Sequence, residues 1–131
     1  MFQLPLMAVD FGASGGTNFA LLELLRSDPV QRERFQKLTH IGHSAEEMVH
    51  LTNQLKEELG DQMRCQQVII SGGIKDFLDG HYLMSTLQLP SIYGQASGFL
   101  KHARGEYEEL RNYVSDQIKG LKLAQAYLKI K

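Results

Sequence analysis

A parallel α/β fold is the class this sequence predicts, and two observations predict it. Three short apolar runs, Met7-Ala8-Val9-Asp10-Phe11, Val68-Ile69-Ile70 and Ser91-Ile92-Tyr93, each pass directly into a bend rich in Gly, Ser or Thr: Gly12 to Thr17, Ser71-Gly72-Gly73, and Gly94 to Gly98. The stretches between them carry helical patterning, and near-continuous apolar strands separated by helices read as a parallel sheet covered by crossovers. The first of these strands suits the middle of a sheet, yet almost nothing precedes it to pair with. Three βα units occupy the 131 residues, whereas a closed (β/α)₈ barrel takes roughly 250. The expectation is a single partial domain over residues 1–131: the last three βα units (strands six to eight) of a TIM barrel whose N-terminal part is missing.

Each element has a local cause. After the first bend, Asn18 to Arg26 is strongly apolar and helical, and Ser27-Asp28-Pro29 stops it and caps a short polar helix over Val30 to Leu38. Ser44 and Glu47 have the spacing of a capping box, and Met48, Leu51, Leu55 and Leu59 predict an apolar stripe running to Gly60. A helix over Lys75 to Leu87 follows the second strand, weakened by Gly80, and Leu89-Pro90 forces an extended entry into the third. Glu106 to Ile130 predicts one long helix with Tyr107, Leu110, Val114, Ile118, Leu121 and Leu128 near one face. Gly120 weakens its middle, and Lys129 and Lys131 suit its C-terminal dipole.

Composition narrows the function. With 43% apolar residues, 22% charged residues and a net charge of -1, the chain reads as a globular protein with no electrostatic case for nucleic acid. No apolar run reaches the roughly 18 residues of a membrane span, and the apolar start lacks a signal-peptide pattern, so a cytoplasmic protein is expected. The single cysteine, Cys65, excludes an internal disulfide and reads as a packing residue beside the second strand.

The chemistry lies in the bends. Consecutive glycines admit positive φ and let backbone N–H groups converge on an anion with no Cβ in the way, and ligands of α/β proteins sit at the carboxyl ends of parallel strands. A phosphate cradle is therefore expected, with the N-terminus of the following helix contributing. A plain strand-to-helix turn would use the same residues. His40 and His43 have no third ligand nearby, and His50, His81 and His102 read as surface or packing residues. Asp10, at the carboxyl end of its strand, stands where catalytic carboxylates often lie and equally where it can bond the glycine bend, the bond being the expected role; Glu23 is expected to pair with Arg26, and Tyr107, Tyr113 and Tyr127 to serve packing.

Gly12-Ala13-Ser14-Gly15-Gly16-Thr17-Asn18-Phe19 followed by Glu23, and Ser71-Gly72-Gly73-Ile74-Lys75 with Asp79 beyond it, resemble the C-terminal portion of type II isopentenyl diphosphate isomerase, a flavin-binding (β/α)₈ barrel. The resemblance runs in register from about Val9 to Leu100. It implies that Gly12 and Thr17 lie against flavin mononucleotide (FMN), that Gly73, Ile74 and Lys75 wrap its phosphate, and that Ala96 and Ser97 complete the phosphate site. It also implies interconversion of isopentenyl and dimethylallyl diphosphate by reduced FMN, with Mg²⁺ and NADPH, and a homo-oligomer. The family's metal-holding glutamate, flavin-contacting lysine and basic substrate grip have no counterpart here, so no catalytic or metal residue is assigned and the chain alone is expected to be inactive and to bind flavin weakly.

The chain departs from the family pattern at Ile41-Gly42-His43-Ser44, at Leu87-Gln88-Leu89-Pro90, and at Lys75, where arginine is usual. The alternatives are another FMN barrel, such as a 2-hydroxy acid oxidase or glutamate synthase-like domain, and a non-catalytic truncated barrel that acts only by association.

Overall fold

A computed structural model describes residues 1–129. The chain is α/β, with three parallel strands in the order β1-β2-β3: β1 (Val9–Asp10), β2 (Val68–Ile70) and β3 (Ser91–Tyr93). Register aligns Val9 with Val68 and Ser91, and Asp10 with Ile69 and Ile92. The β1 strand is shorter than the apolar run from Met7 to Phe11 because Met7 lies free of the sheet. These strands form an open sheet, not a closed barrel.

Alternation divides the sheet into two unlike faces. Val9 is buried, and Val68 and Ile70 join Val49, Ile74, Leu83, Leu87 and Leu89 in one core, where full burial of side chains such as Val68 and Ile70 contributes about 1.5–3 kcal/mol each. Helices α3 (Ala45–Leu59) and α4 (Phe77–Thr86) supply much of that cover. The other face, carrying Asp10, Ile69 and Ile92, is bare enough to leave Ile92 63% exposed.

The first crossover begins with α1 (Phe19–Arg26) and α2 (Pro29–Phe35), which pack on each other and on a 3₁₀ turn at Gln36–His40, so the polar helix expected to run to Leu38 gives way to a tighter turn. Asp28 caps α2, accepting from the Val30 and Gln31 N–H groups with Pro29 in the first turn, as expected. The Ser44 capping box on α3 is complete. Its buried face, however, is Ala45, Val49 and Thr52, while Leu51 and Leu55 are exposed. Small residues let α3 lie close to its neighbours; of the expected stripe, Met48 and Leu59 pack half-buried against the core and Leu51 and Leu55 turn outward.

The segment after β3 differs most from expectation. A short helix, α5 (Ser97–Ala103), precedes α6 (Tyr107–Tyr127), and α6 ends three residues earlier than the expected Ile130. Leu128 and Lys129 follow in non-helical backbone, and Ile130 and Lys131 lie outside the described residues. The α6 residues packed most deeply are Gly120 and Ala124, whereas Tyr107, Ile118 and Tyr127 are exposed. Cys65 is fully buried, its thiol donating weakly to the Gln67 carbonyl at 3.6 Å, as a packing residue should. Among the described residues no helix is long and apolar enough to cross a membrane.

Candidate functional site

Because the strands run parallel, all three bends emerge at the carboxyl edge of the sheet. The ladder continues past the strand ends to hold them there: Phe11 N–H donates to Ile69 O (3.0 Å), Ala13 N–H to Ser71 O (2.9 Å) and Gly94 N–H to Ile70 O (2.9 Å). Asp10 ties the first bend to the second. Its Oδ1 accepts from Gly12 N–H at 3.1 Å and from the Ser71 hydroxyl, and Ser71 Oγ accepts in turn from Gly12 N–H at 3.1 Å. This is the bonding role expected of Asp10.

The first two bends then interlock backbone to backbone. A Cβ on Gly15 would lie 2.8 Å from Gly73 Cα, one on Gly16 2.9 Å from Gly72 Cα, and one on Gly73 2.9 Å from Ser14 O. Gly72 leaves no room for any side chain beside the Ala13 backbone. Gly15, Gly72 and Gly73 have φ of 95, 92 and 76°, in the left-handed region. The space freed by these glycines is thus filled by the neighbouring bend. Gly12 (φ 53°) is different, with nothing within 4 Å of where its Cβ would be.

Other groups fix the bends from outside. Asn18 caps α1 by accepting from Leu21 N–H (2.8 Å) and donates to Thr39 O (2.5 Å), while Ser14 N–H donates to His43 O (2.8 Å). An Asn directly before an apolar helical run is a cap signal, so half of its role was readable. Gln95 Nε2 donates to the Lys75 carbonyl and to the Tyr113 hydroxyl (2.7 Å).

The expected site residues fall into three groups. Gly12 and Thr17 line an open cleft of about 510 Å³ between the first bend and residues Thr39 to His43. Gly73, Ile74 and Lys75 line a second of about 330 Å³, with Glu46, Asp79 and Tyr82 on its walls, and Ser14 borders both. Ala96 and Ser97 border neither cleft and start α5, next to Gln95. The Ile74 side chain is buried in the core, so its N–H, not its side chain, can face a ligand.

Among the described residues the N–H groups of Gly72, Gly73 and Ile74 make no hydrogen bond, and two of those residues have positive φ, so consecutive amides remain able to donate to an anion. Lys75 differs from its neighbours in the second bend. Its N–H is already given to Asp79 Oδ2 at 2.9 Å, which leaves its ammonium as its contribution. The N-terminus of α4 is likewise taken, because Asp76 accepts from Leu78 (2.8 Å) and Asp79 (3.2 Å) N–H groups.

Electrostatics of the walls are modest. The carboxylate of Glu46 accepts from the Tyr82 hydroxyl (2.9 Å), which raises the tyrosine's pKa by favouring its neutral form. Backbone and side-chain hydrogen bonds from Ser44 hold Glu47 below the usual carboxylate value. Glu23 pairs with Arg26 at 2.9 Å, both exposed. Among the described residues no three His, Cys, Asp or Glu side chains gather where they could share a metal.

No protein-family model, curated protein or solved structure matches this chain.

Proposed function

We propose that this chain is the C-terminal part of an FMN-dependent isopentenyl diphosphate isomerase acting in isoprenoid biosynthesis in the cytoplasm, and that it supplies the loops that grip the FMN phosphate. The observation that carries the reading is the gathering of three glycine-bearing bends at one carboxyl edge, where the amides of Gly72, Gly73 and Ile74 make no hydrogen bond among the described residues. FMN would bring the redox-active isoalloxazine. The chain's own residues would bind and orient it: Gly72 to Ile74 through their amides, Lys75 through its charge, Ala96 and Ser97 from the third bend, and Gly12 and Thr17 beside the ring. The resemblance at Gly15-Gly16-Thr17-Asn18-Phe19 favours the isomerase over a hydroxy acid oxidase. Mg²⁺, NADPH and the isopentenyl or dimethylallyl diphosphate would be held by sequence outside these residues, in a homo-oligomeric whole.

Titration of the 131-residue chain with FMN and with riboflavin, followed by flavin fluorescence, tests the reading. Weak binding, with Kd on the order of 1 mM, and a preference for FMN are expected. Equal binding of the two, or tight stoichiometric capture of FMN by this chain alone, would overturn it.

A second reading, a truncated barrel that acts only by association, is favoured by the bare sheet face and the exposed Ile92.

A further inference from the structure

The phosphate reading requires the second and third bends to stand at a fixed spacing, since an ion shared by Gly72 to Ile74 and by Ala96 and Ser97 must fit the gap between them. Main-chain bonding stops short of doing this: the ladder ends with Gly94 N–H on Ile70 O. Beyond it, the side-chain link between the two bends is Gln95. Its amide nitrogen carries two hydrogens, and both are used, one on the Lys75 carbonyl and one on Tyr113 Oη at 2.7 Å. Lys75 is therefore tied by side chains at both ends of its backbone, N–H to Asp79 and C=O to Gln95.

Tyr113, from α6, is itself held firmly. His102 stacks on its ring at 4.4 Å and Phe99 meets it edge-on at 5.3 Å. The glycine at 98 belongs to the same device, because a Cβ there would collide with Tyr113 Oη and come within 2.9 Å of Gln95 Nε2. Helix α6, packed on α5, thus holds the side-chain amide that joins the bends.

We propose that Gln95 and Tyr113 are positioning residues for a phosphate monoester: they fix the spacing of the two bends and so set the preference for a phosphorylated flavin. The inference rests on the phosphate reading above. Its test measures the FMN-to-riboflavin affinity ratio and the melting temperature together for the wild-type chain, Gln95→Leu and Tyr113→Phe. The second variant keeps the ring stack and removes only the hydroxyl, so it covers the case in which Gln95→Leu does not fold.

Loss of one such hydrogen bond is expected to lower the ratio roughly three- to tenfold with riboflavin affinity unchanged, more for Gln95→Leu than for Tyr113→Phe. A wild-type chain with no preference for FMN sinks the phosphate reading and the positioning role with it. A wild-type preference that both variants retain, even if they melt lower, sinks the positioning role alone.

Discussion

Gly12 and Gly72 share a left-handed backbone but not a neighbourhood. Gly12→Ala meets open space and should cost only the conformational penalty, about 1 kcal/mol. Gly72→Ala adds a collision with the Ala13 backbone to the same penalty and should cost about 3 kcal/mol or more. Urea midpoints of the two variants compare them directly, and equal losses would refute the interlock. Local sequence made the positive φ of these glycines readable. It could not reveal what fills the space beside them, because Ala13 and Gly72 are far apart along the chain. Sequence therefore could not separate Gly15, Gly16, Gly72 and Gly73, whose Cβ positions meet each other's bend, from Gly12, which has open space at its Cβ position.

Among the elements, helix α3 owes its start to Ser44, and Ser44→Ala should cost about 1 kcal/mol. The same cap sets a pH dependence. Ser44 holds Glu47 below its ordinary 4.5, so the folded form binds a proton less readily than the unfolded one. Its contribution is complete above about 4.5 and fades as the pH falls through the lowered folded value. Melting temperatures measured across that interval should fall less steeply for Ser44→Ala than for the wild-type chain. Gly80 and Gly120 teach a different lesson about helices. Both read as weak points by propensity, yet Gly80 sits against the Tyr93 ring and Gly120 against that of Phe77. Gly120→Ala gains about 1 kcal/mol of helix propensity but overpacks at about 1–3 kcal/mol, so a net loss is expected. Phe77→Leu in the same chain should recover part of it, and a Gly120→Ala variant more stable than wild type in denaturant would contradict the packing. The capping box and the Asp28-Pro29 start were legible because their partners lie within four residues. The packing faces of α3 and α6 were legible only in part: Met48, Leu59, Leu110, Val114 and Leu121 of the expected stripes are half-buried, while close approach put small residues such as Ala45, Gly120 and Ala124 deepest.

At the scale of the molecule, the parallel class and the positions of all three strands were readable from apolar runs ending in glycine bends, and the order and register agree with it. The three strands form an open sheet in which no barrel closure is seen among the described residues, and the sheet has one dressed and one undressed side. Parallel strands are normally covered on both faces, and unpaired edges invite pairing. Size-exclusion with light scattering should report association at raised concentration, and Ile92→Lys should reduce it without lowering the melting temperature, because Ile92 has little burial to lose. A monodisperse monomer at every concentration would argue against the partial barrel. The interlock of the first two bends has a practical corollary for anyone wishing to borrow this edge for another scaffold. Neither glycine motif is a portable cassette, because each is the mould in which the other is cast, and a graft would have to carry both together with the strands that present them.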